Sequence, residues 1–166
     1  MAVLETKRMQ LRQFTMDDVQ NLMQIMADPI AMKYYPWVLD EIGTREWIQR
    51  NLDRYSERGI GLWAAELKDN GEFVGQVGLV HMEIEGRKEV EIAYLFVSKH
   101  WGKGYATEAA EACKEFAFRH LDLHRVVIVI RPENISSRRV AERLGAVIEK
   151  EYEKNGLIHL VYVLNK

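Results

Sequence analysis

The sequence predicts an α/β domain with a mixed, mostly antiparallel central sheet of about seven strands flanked by helices, in the order β-α-α-β-β-β-α-β-α-β-β. Three observations predict it. Two apolar stripes at helical spacing come first, and after them the hydrophobic period drops to two. That second stretch is punctuated by Asn70-Gly71 and Glu85-Gly86, and Asn155-Gly156 follows near the C-terminus; such dipeptides turn hairpins. Between the hairpins lie strand 89–97, helix 104–121 and strand 125–130, a unit long enough for a right-handed parallel crossover.

Each element has a local reason. "MQLRQF" alternates Met9 and Leu11 with polar neighbours and reads as the first strand. Thr15, with Asp18 three residues on, starts a helix whose stripe is Val19, Leu22, Met23, Ile25 and Met26; Asp28-Pro29 stops it. "YYPW" is irregular. Thr44 is expected to cap a second helix through Trp47, Ile48, Leu52 and Tyr55, closed by Gly59. "GLWAAEL" and "EFVGQVGLVHMEI" are strands, and Glu89–Val97 completes the meander. Ala106, Ala109, Ala110, Cys113, Ala117 and Leu121 give the next helix a narrow face of small residues that packs close to a sheet. "HRVVIVI" reads as a strand buried on both faces, broken by Pro132. Ile135 to Leu144 is a short helix stopped by Gly145, and strands Val147–Tyr152 and Ile158–Leu164 close the chain. With no repeat, linker or low-complexity run, residues 1–166 read as one domain.

Composition narrows the function classes. The chain has 166 residues, 48% apolar and 29% charged, as ordinary soluble domains do. A net charge of -2 supplies no global basic field, so neither nucleic acid nor anionic membrane is expected as partner. The lone Cys113 allows no internal disulfide and no cysteine-based metal site; its helical spacing with Ala109, Ala110 and Ala117 marks a buried thiol rather than an acyl carrier. His81, His100, His120, His124 and His159 show no metal-ligand spacing on one helix face, and no metal is assigned. The N-terminal residues lack a signal-peptide core, and Val126–Ile130 is far too short to span a bilayer. A cytoplasmic location is expected.

The segment "HWGKGYATEA", His100 to Ala109, carries more bare backbone than a strand-to-helix connection needs. A Walker A loop fails twice: its first glycine position is Val97, and the position after Lys103 is Gly104. A dinucleotide fingerprint finds Gly102 and Gly104, but its third glycine falls on Thr107; Glu133 imitates the ribose-binding acid, while the upstream hairpins argue against that fold. An isolated G-x-G is otherwise a tight turn. The remaining reading is a pyrophosphate cradle: unpaired N–H groups at a helix start, the helix dipole behind them, glycines that leave room, and the Lys103 charge.

"WGKGYA", with "EIAYLFV" before it and "PENISSRRVAERLGA" after it, resembles the GNAT superfamily of acetyl-CoA-dependent N-acetyltransferases, and within it the RimJ/RimL-type branch, which includes acetylators of ribosomal protein N-termini. The order of elements matches from Met9 to Leu164. The family's loop pattern, Q/R-x-x-G-x-G/A, falls on Trp101, Gly102, Lys103, Gly104, Tyr105 and Ala106, with tryptophan in place of the first Gln or Arg. The resemblance implies acetyl-CoA as co-substrate. Its pyrophosphate would lie on the main chain of Gly102 to Thr107. Its pantetheine arm would enter a splay between strands 89–97 and 125–130, with backbone groups of Leu95, Phe96 and Val97 on one side and Asn134 on the other. The Val97 N–H would face the oxyanion.

Acetyl transfer to an amine needs a base for the ammonium proton, a held thioester, an oxyanion donor and a leaving thiolate. Alternation along strand 89–97 puts Glu91 on one face with Glu89, Ala93, Leu95 and Val97, and partial burial there would raise its pKa toward that of a useful base. The resemblance places the family's base at Glu91 too. Glu89 better fits the solvated start of the strand. Many GNAT enzymes carry an acidic tyrosine on the last helix; that position is Ala141. The RimJ/RimL-type pattern offers Ser137 instead, although Ser136 and Ser137 also suit helix capping. Tyr34, Tyr35 and Trp37, in the segment between the first two helices, are the acceptor-side candidates. The acceptor is an amine: a protein N-terminus or a small molecule such as a polyamine, an amino acid or an antibiotic. A non-catalytic acyl-CoA sensor and a nucleotide-binding oxidoreductase are the rival classes. The apolar C-terminal hairpin offers an edge for a homodimer.

Overall fold

A computed structural model describes residues 1–166. It builds strands β1 (Ala2–Glu5), β2 (Met9–Arg12), β3 (Leu62–Leu67), β4 (Phe73–Ile84), β5 (Arg87–Phe96), β6 (Arg125–Ile130), β7 (Val147–Lys154) and β8 (Leu157–Asn165). Helices α1 (Val19–Met26) and α2 (Glu41–Arg58) separate β2 from β3; α3 (Tyr105–Arg119) and α4 (Ile135–Arg143) flank β6. The strands form one eight-stranded sheet in the order β1-β2-β3-β4-β5-β6-β8-β7. The only parallel pair is β5 with β6, the crossover around α3. The extra strand is β1, which pairs antiparallel with β2. Its four residues beside charged neighbours hold too little alternation to register as a strand.

Two cores sandwich the sheet. On one face α1 and α2 bury Val19, Leu22, Ile25, Met26 and Ile48 against Leu62, Ala64 and Val97. On the other, α3 and α4 bury Ala109, Ala110, Cys113, Ala117, Val140 and Ala141 against Trp63, Val77, Ile92 and Phe96. The small-residue face of α3 thus lies on the sheet as its spacing predicts, and Cys113 is sealed inside it, its thiol pushed far up by burial.

Most local signals act as read. Thr15 and Asp18 form a reciprocal capping box. Glu85-Gly86 and Asn155-Gly156 both take the left-handed pairs of a tight hairpin turn (φ 48° and 82°; 53° and 76°). Thr44 does not cap α2. Asp40 does, accepting from the Gly43 N–H at 2.8 Å, and Thr44 sits buried one turn in, its hydroxyl donating to the Asp40 carbonyl. Either side chain makes a good cap, and the chain uses the one that lets the helix start earlier.

What positions the site is the contrast between the two edges of β5. Its β4 edge is zipped from Gly75↔Phe96 to Ile84↔Arg87 without a register shift. Its β6 edge is joined only at Glu91↔Val127. Beyond that point the two strands part.

Candidate active site

Where β5 and β6 part, a cleft of about 930 Å³ opens. Its walls come from both strands, the α1–α2 segment, the glycine loop with the start of α3, the start of α4, and the β7–β8 hairpin.

The loop end is built around bare backbone. Gly102 (φ 80°) and Gly104 (φ 81°) both take the left-handed conformation, and Gly104 is the N-cap of α3 with no side chain capping it. The first helical acceptor bond is Glu108 N–H to the Gly104 carbonyl, so the N–H groups of Tyr105, Ala106 and Thr107 have no intrahelical partner. The loop is braced from two sides. Arg8 donates to the Lys103 carbonyl (2.8 Å) and to Glu108 (2.7 Å), with its guanidinium 4.5 Å from the Tyr105 ring centroid. Glu72, on the β3–β4 connection, takes Lys99 at 3.1 Å and His100 at 3.0 Å. Arg8 and Glu108 stand a hundred positions apart and Glu72 and His100 stand 28 apart, and no spacing in the sequence links either pair.

At the closed end of the splay stands Glu91. It keeps some accessible surface toward the cleft, but protein surrounds the carboxylate, and burial pushes its pKa up to about 7 against the smaller pull of the Val129 N–H, Lys154 and Arg54. Glu89, expected in solvent, is instead 7% exposed and ion-paired with Arg125 at 3.0 Å and Arg87 at 3.3 Å. The strand start is not frayed, because β4 pairs with β5 down to Arg87 and Arg125 opens β6 directly beside it.

The family model for the acetyltransferase (GNAT) domain matches residues 8–147. The chain belongs to the GNAT acetyltransferase family. It is 40% identical over 152 residues to YkkB of Bacillus subtilis, an uncharacterized protein, covering 91% of this chain and 88% of that one. Its fold superposes on an acetyltransferase from Agrobacterium tumefaciens with a TM-score of 0.84 and 31% identity, covering 98% and 94% of the two chains. RimL, a ribosomal L7/L12 alpha-N-protein acetyltransferase solved with coenzyme A, superposes with a TM-score of 0.82 over 99% and 98% of the chains; at 21% identity that likeness concerns the fold.

A GNAT acetyltransferase uses acetyl-CoA, and most of the residues expected to meet it line this cleft: Leu95, Phe96, Gly102, Gly104, Tyr105, Ala106, Thr107 and Asn134. Glu91, Ser137, Tyr34 and Tyr35 line it as well. Three residues do not. Lys103 is exposed beside the loop, its carbonyl taken by Arg8. Trp37 stacks between Tyr35 (5.9 Å) and Trp47 (6.0 Å) instead. Val97 is buried in the α1–α2 core, and its N–H donates to the Val74 carbonyl at 2.9 Å, so it is not free to face an oxyanion. In an antiparallel pair backbone groups alternate in direction. With Val97 bonded to β4, Leu95 also turns its backbone toward β4, and Tyr94 and Phe96 turn theirs toward the splay. Reading side-chain alternation alone hides this, because backbone groups point along the sheet and side chains across it.

The start of α4 also differs from expectation. Neither Ser136 nor Ser137 caps it; Asn134 does, its side-chain oxygen accepting from the Ser137 N–H at 3.3 Å. The Ser137 hydroxyl donates to Tyr94 Oη (3.2 Å), and that hydroxyl donates to the Ser137 carbonyl (2.8 Å). Tyr94 therefore bridges β5 to α4 across the splay, a role its place on the apolar strand face concealed. Ala141, where many GNAT enzymes carry a tyrosine, is fully buried. Arg131, Tyr152, Lys154 and His159 also line the cleft. They come from separate strand ends, which only the tertiary fold assembles.

Proposed function

We propose that this acetyltransferase moves acetyl from acetyl-CoA to a primary amine by direct attack in a ternary complex, with Glu91 as the base. The observation that carries this reading is a lone carboxylate in the cleft, with a pKa of about 7, at the point where β5 and β6 separate. A base poised near neutral pH both ionises and accepts a proton efficiently.

The other parts follow from what each group has free. The N–H groups of Gly102 to Thr107 and the positive end of α3 suit a pyrophosphate. The Tyr94 backbone and the Phe96 N–H, with Asn134 opposite, suit the amides of a pantetheine arm, the Phe96 carbonyl being taken by the Trp101 indole N–H at 2.9 Å; an N–H of this pair takes the oxyanion role first assigned to Val97. The amine nitrogen attacks the thioester carbon, its proton passes to Glu91, and the carbon–sulfur bond breaks with its electron pair on sulfur. Ser137 and Tyr94 line the same cleft with both hydroxyl protons engaged, so the thiolate leaves as the anion. Cys113 is buried and does not line the cleft, which favours direct attack over an acyl-cysteine intermediate. A protein N-terminal α-amine, the acceptor in RimL's name, is one amine of the required kind.

The test is thiol release from acetyl-CoA against a panel of amines, followed by two-substrate kinetics. Intersecting double-reciprocal lines are expected. Parallel lines would point to an acyl-enzyme, and tight acetyl-CoA binding without thiol release for any amine would replace the enzyme mechanism with a coenzyme-binding role.

A further inference from the structure

The charges around Glu91 narrow the acceptor. Glu91 is the only acidic residue that lines the cleft. Facing the same space are Lys33 from the α1–α2 segment, Lys154 and His159 from the β7–β8 hairpin, and Arg131 from the end of β6. Lys33, Lys154 and Arg131 are cations with little to neutralise them; His159, its Nδ1 3.0 Å from the Leu157 carbonyl, is the neutral member of the group. Lys33 lies over the Tyr34 ring, 5.4 Å from its centroid. Arg131 reaches only the exposed Glu133, at 3.4 Å, and its Nε is buried with no hydrogen-bond partner. Lys154 acts electrostatically on both Glu91 and His159. Burial first, then Arg131 and Lys154, hold His159 below its ordinary pKa against the pull of the Leu157 carbonyl and, more weakly, Glu133.

Lys154 ties this corner to Glu91, on which it acts electrostatically, while Arg131, at the end of β6 beyond Val127, stands level with Leu95. Glu91 lies five residues before Phe96, about 16 Å along an extended strand, and the glycine loop lies beyond that. The cations nearer the loop are Arg139 and Arg143 on α4, which packs against α3. A polyamine would bring several positive charges into a space with one carboxylate and a surplus of cations, and like charges there repel strongly. An amine that also carries an anion would instead pair it with Lys154 and Arg131 through charge-assisted hydrogen bonds.

Resting on the amine-transfer reading above, we infer that the acceptor is a primary amine bearing a carboxylate, which the basic corner of Lys154 and Arg131 receives while the amine faces Glu91. A free amino acid and the start of an acidic peptide share this chemistry. The experiment uses the full chain in a thiol-release assay with three arms: amino acids beside their amides, short peptides with Asp or Glu beside Asn or Gln near a free N-terminus, and spermidine. At least one acid should exceed its amide by about tenfold in kcat/KM, with spermidine lowest, and the arm that shows the preference identifies the source. Lys154→Gln and Arg131→Gln should each reduce the acid-to-amide ratio severalfold, and calorimetry should find acetyl-CoA affinity unchanged in Lys154→Gln. Amides matching acids, or spermidine turning over best, overturns the acceptor assignment alone. A loss of acetyl-CoA affinity in Lys154→Gln also overturns it, by giving the cation to the coenzyme. No thiol release with any amine, while acetyl-CoA still binds, overturns the amine-transfer reading and this inference with it.

Discussion

Glu89 and Glu91 leave β5 two residues apart and on the same side, and the fold treats them in opposite ways. Glu89 lies where β5 and β6 are still side by side, and Arg125 at the start of β6 neutralises it with a fork of hydrogen bonds at 3.0 to 3.1 Å. Glu91 lies at the last point of contact, opposite Val127, and no cation pairs with it directly. Arg125 thus offsets the cost of burying one carboxylate, and the other is left destabilised as an anion. Identical residues acquire a structural and a chemical role from a shift of one strand repeat across the end of a seam.

The sharpest way to break this pairing of roles is Glu91→Gln, which keeps the shape and removes the proposed base. The rate should fall by about a hundredfold to ten-thousandfold at neutral pH, with acetyl-CoA affinity retained. In the wild type kcat/KM should rise with pH toward a plateau above about 7, following the pKa of Glu91 in the free enzyme. That limb should vanish in the variant, and any remaining rise should track the acceptor amine. A rate like wild type at neutral pH would show that the base lies elsewhere.

The mirror-image change is Arg125→Ala. It leaves Glu89 buried beside only the exposed Arg87 and also frees Glu149. Stability should drop by about 3 to 5 kcal/mol, as for other broken buried pairs, while the folded fraction keeps most of its kcat. Denaturant unfolding and an active-site-normalised assay check the two halves. A large loss of kcat without a loss of stability would dissolve the division between the two glutamates.

Glu91 should also reveal itself in stability alone. Below about pH 4 both folded and unfolded chains hold its proton. Between about 4.5 and 7 only the folded chain does, so stability falls as pH rises. Above 7 the anion stays buried, at up to about 3 kcal/mol. Glu91→Gln should therefore be more stable than wild type at about pH 8 and equal to it at about pH 4, as thermal melts at the two pH values would show. An equal difference at both would trace the effect to packing rather than charge.

How much of this was legible in the sequence follows the range of the forces involved. Hairpin turns, the capping box and the small-residue face of α3 are local, and residues such as Asn155-Gly156 and Ala109 declare them. The glycine loop is local too, and so is Glu91 as a candidate. Charge partners across strands are not: nothing in "EVEIAYLFV" shows that Glu89 is buried against Arg125 rather than solvated, because that pairing depends on the crossover register. For the same reason the Arg8 brace, the Tyr94–Ser137 contact and the basic corner on the hairpin were unreadable. Val97 was misassigned because its backbone direction is set by β4 and not by its own neighbours.

The two glycine turns at the ends of these seams give a smaller and cleaner contrast. Gly71, between β3 and β4, and Gly104, at the head of α3, share a left-handed backbone (φ 73° and 81°), and an added Cβ has open space at Gly71 and only the flexible end of Arg8 near it at Gly104. Replacing either by alanine should lower stability by about 1 to 2 kcal/mol. Only Gly104→Ala should also weaken acetyl-CoA, by about tenfold, because only there does a phosphate need the space a methyl would fill. Calorimetry on both variants separates the cradle from ordinary turn strain. Equal coenzyme affinity in the two would remove Gly104 from the cradle.

The smallest expected effect belongs to Ser137. Opposite a charged base, the splay presents a neutral pair of hydroxyls, and Ser137 spends its proton on Tyr94 while Tyr94 spends its own on the Ser137 carbonyl. A thiol has a pKa of about 8.5, so its anion leaves without needing an acid. Ser137→Ala should then reduce kcat only about threefold to tenfold, near the worth of one neutral hydrogen bond, with KM for the acceptor little changed. Tyr94→Phe breaks the same link from the other side and should cost a similar factor. Because the two hydroxyls act as a unit, the double variant should resemble either single one rather than their product. A hundredfold loss in Ser137→Ala with Tyr94→Phe unaffected would instead make Ser137 the proton donor to sulfur, acting independently of its bridge to β5.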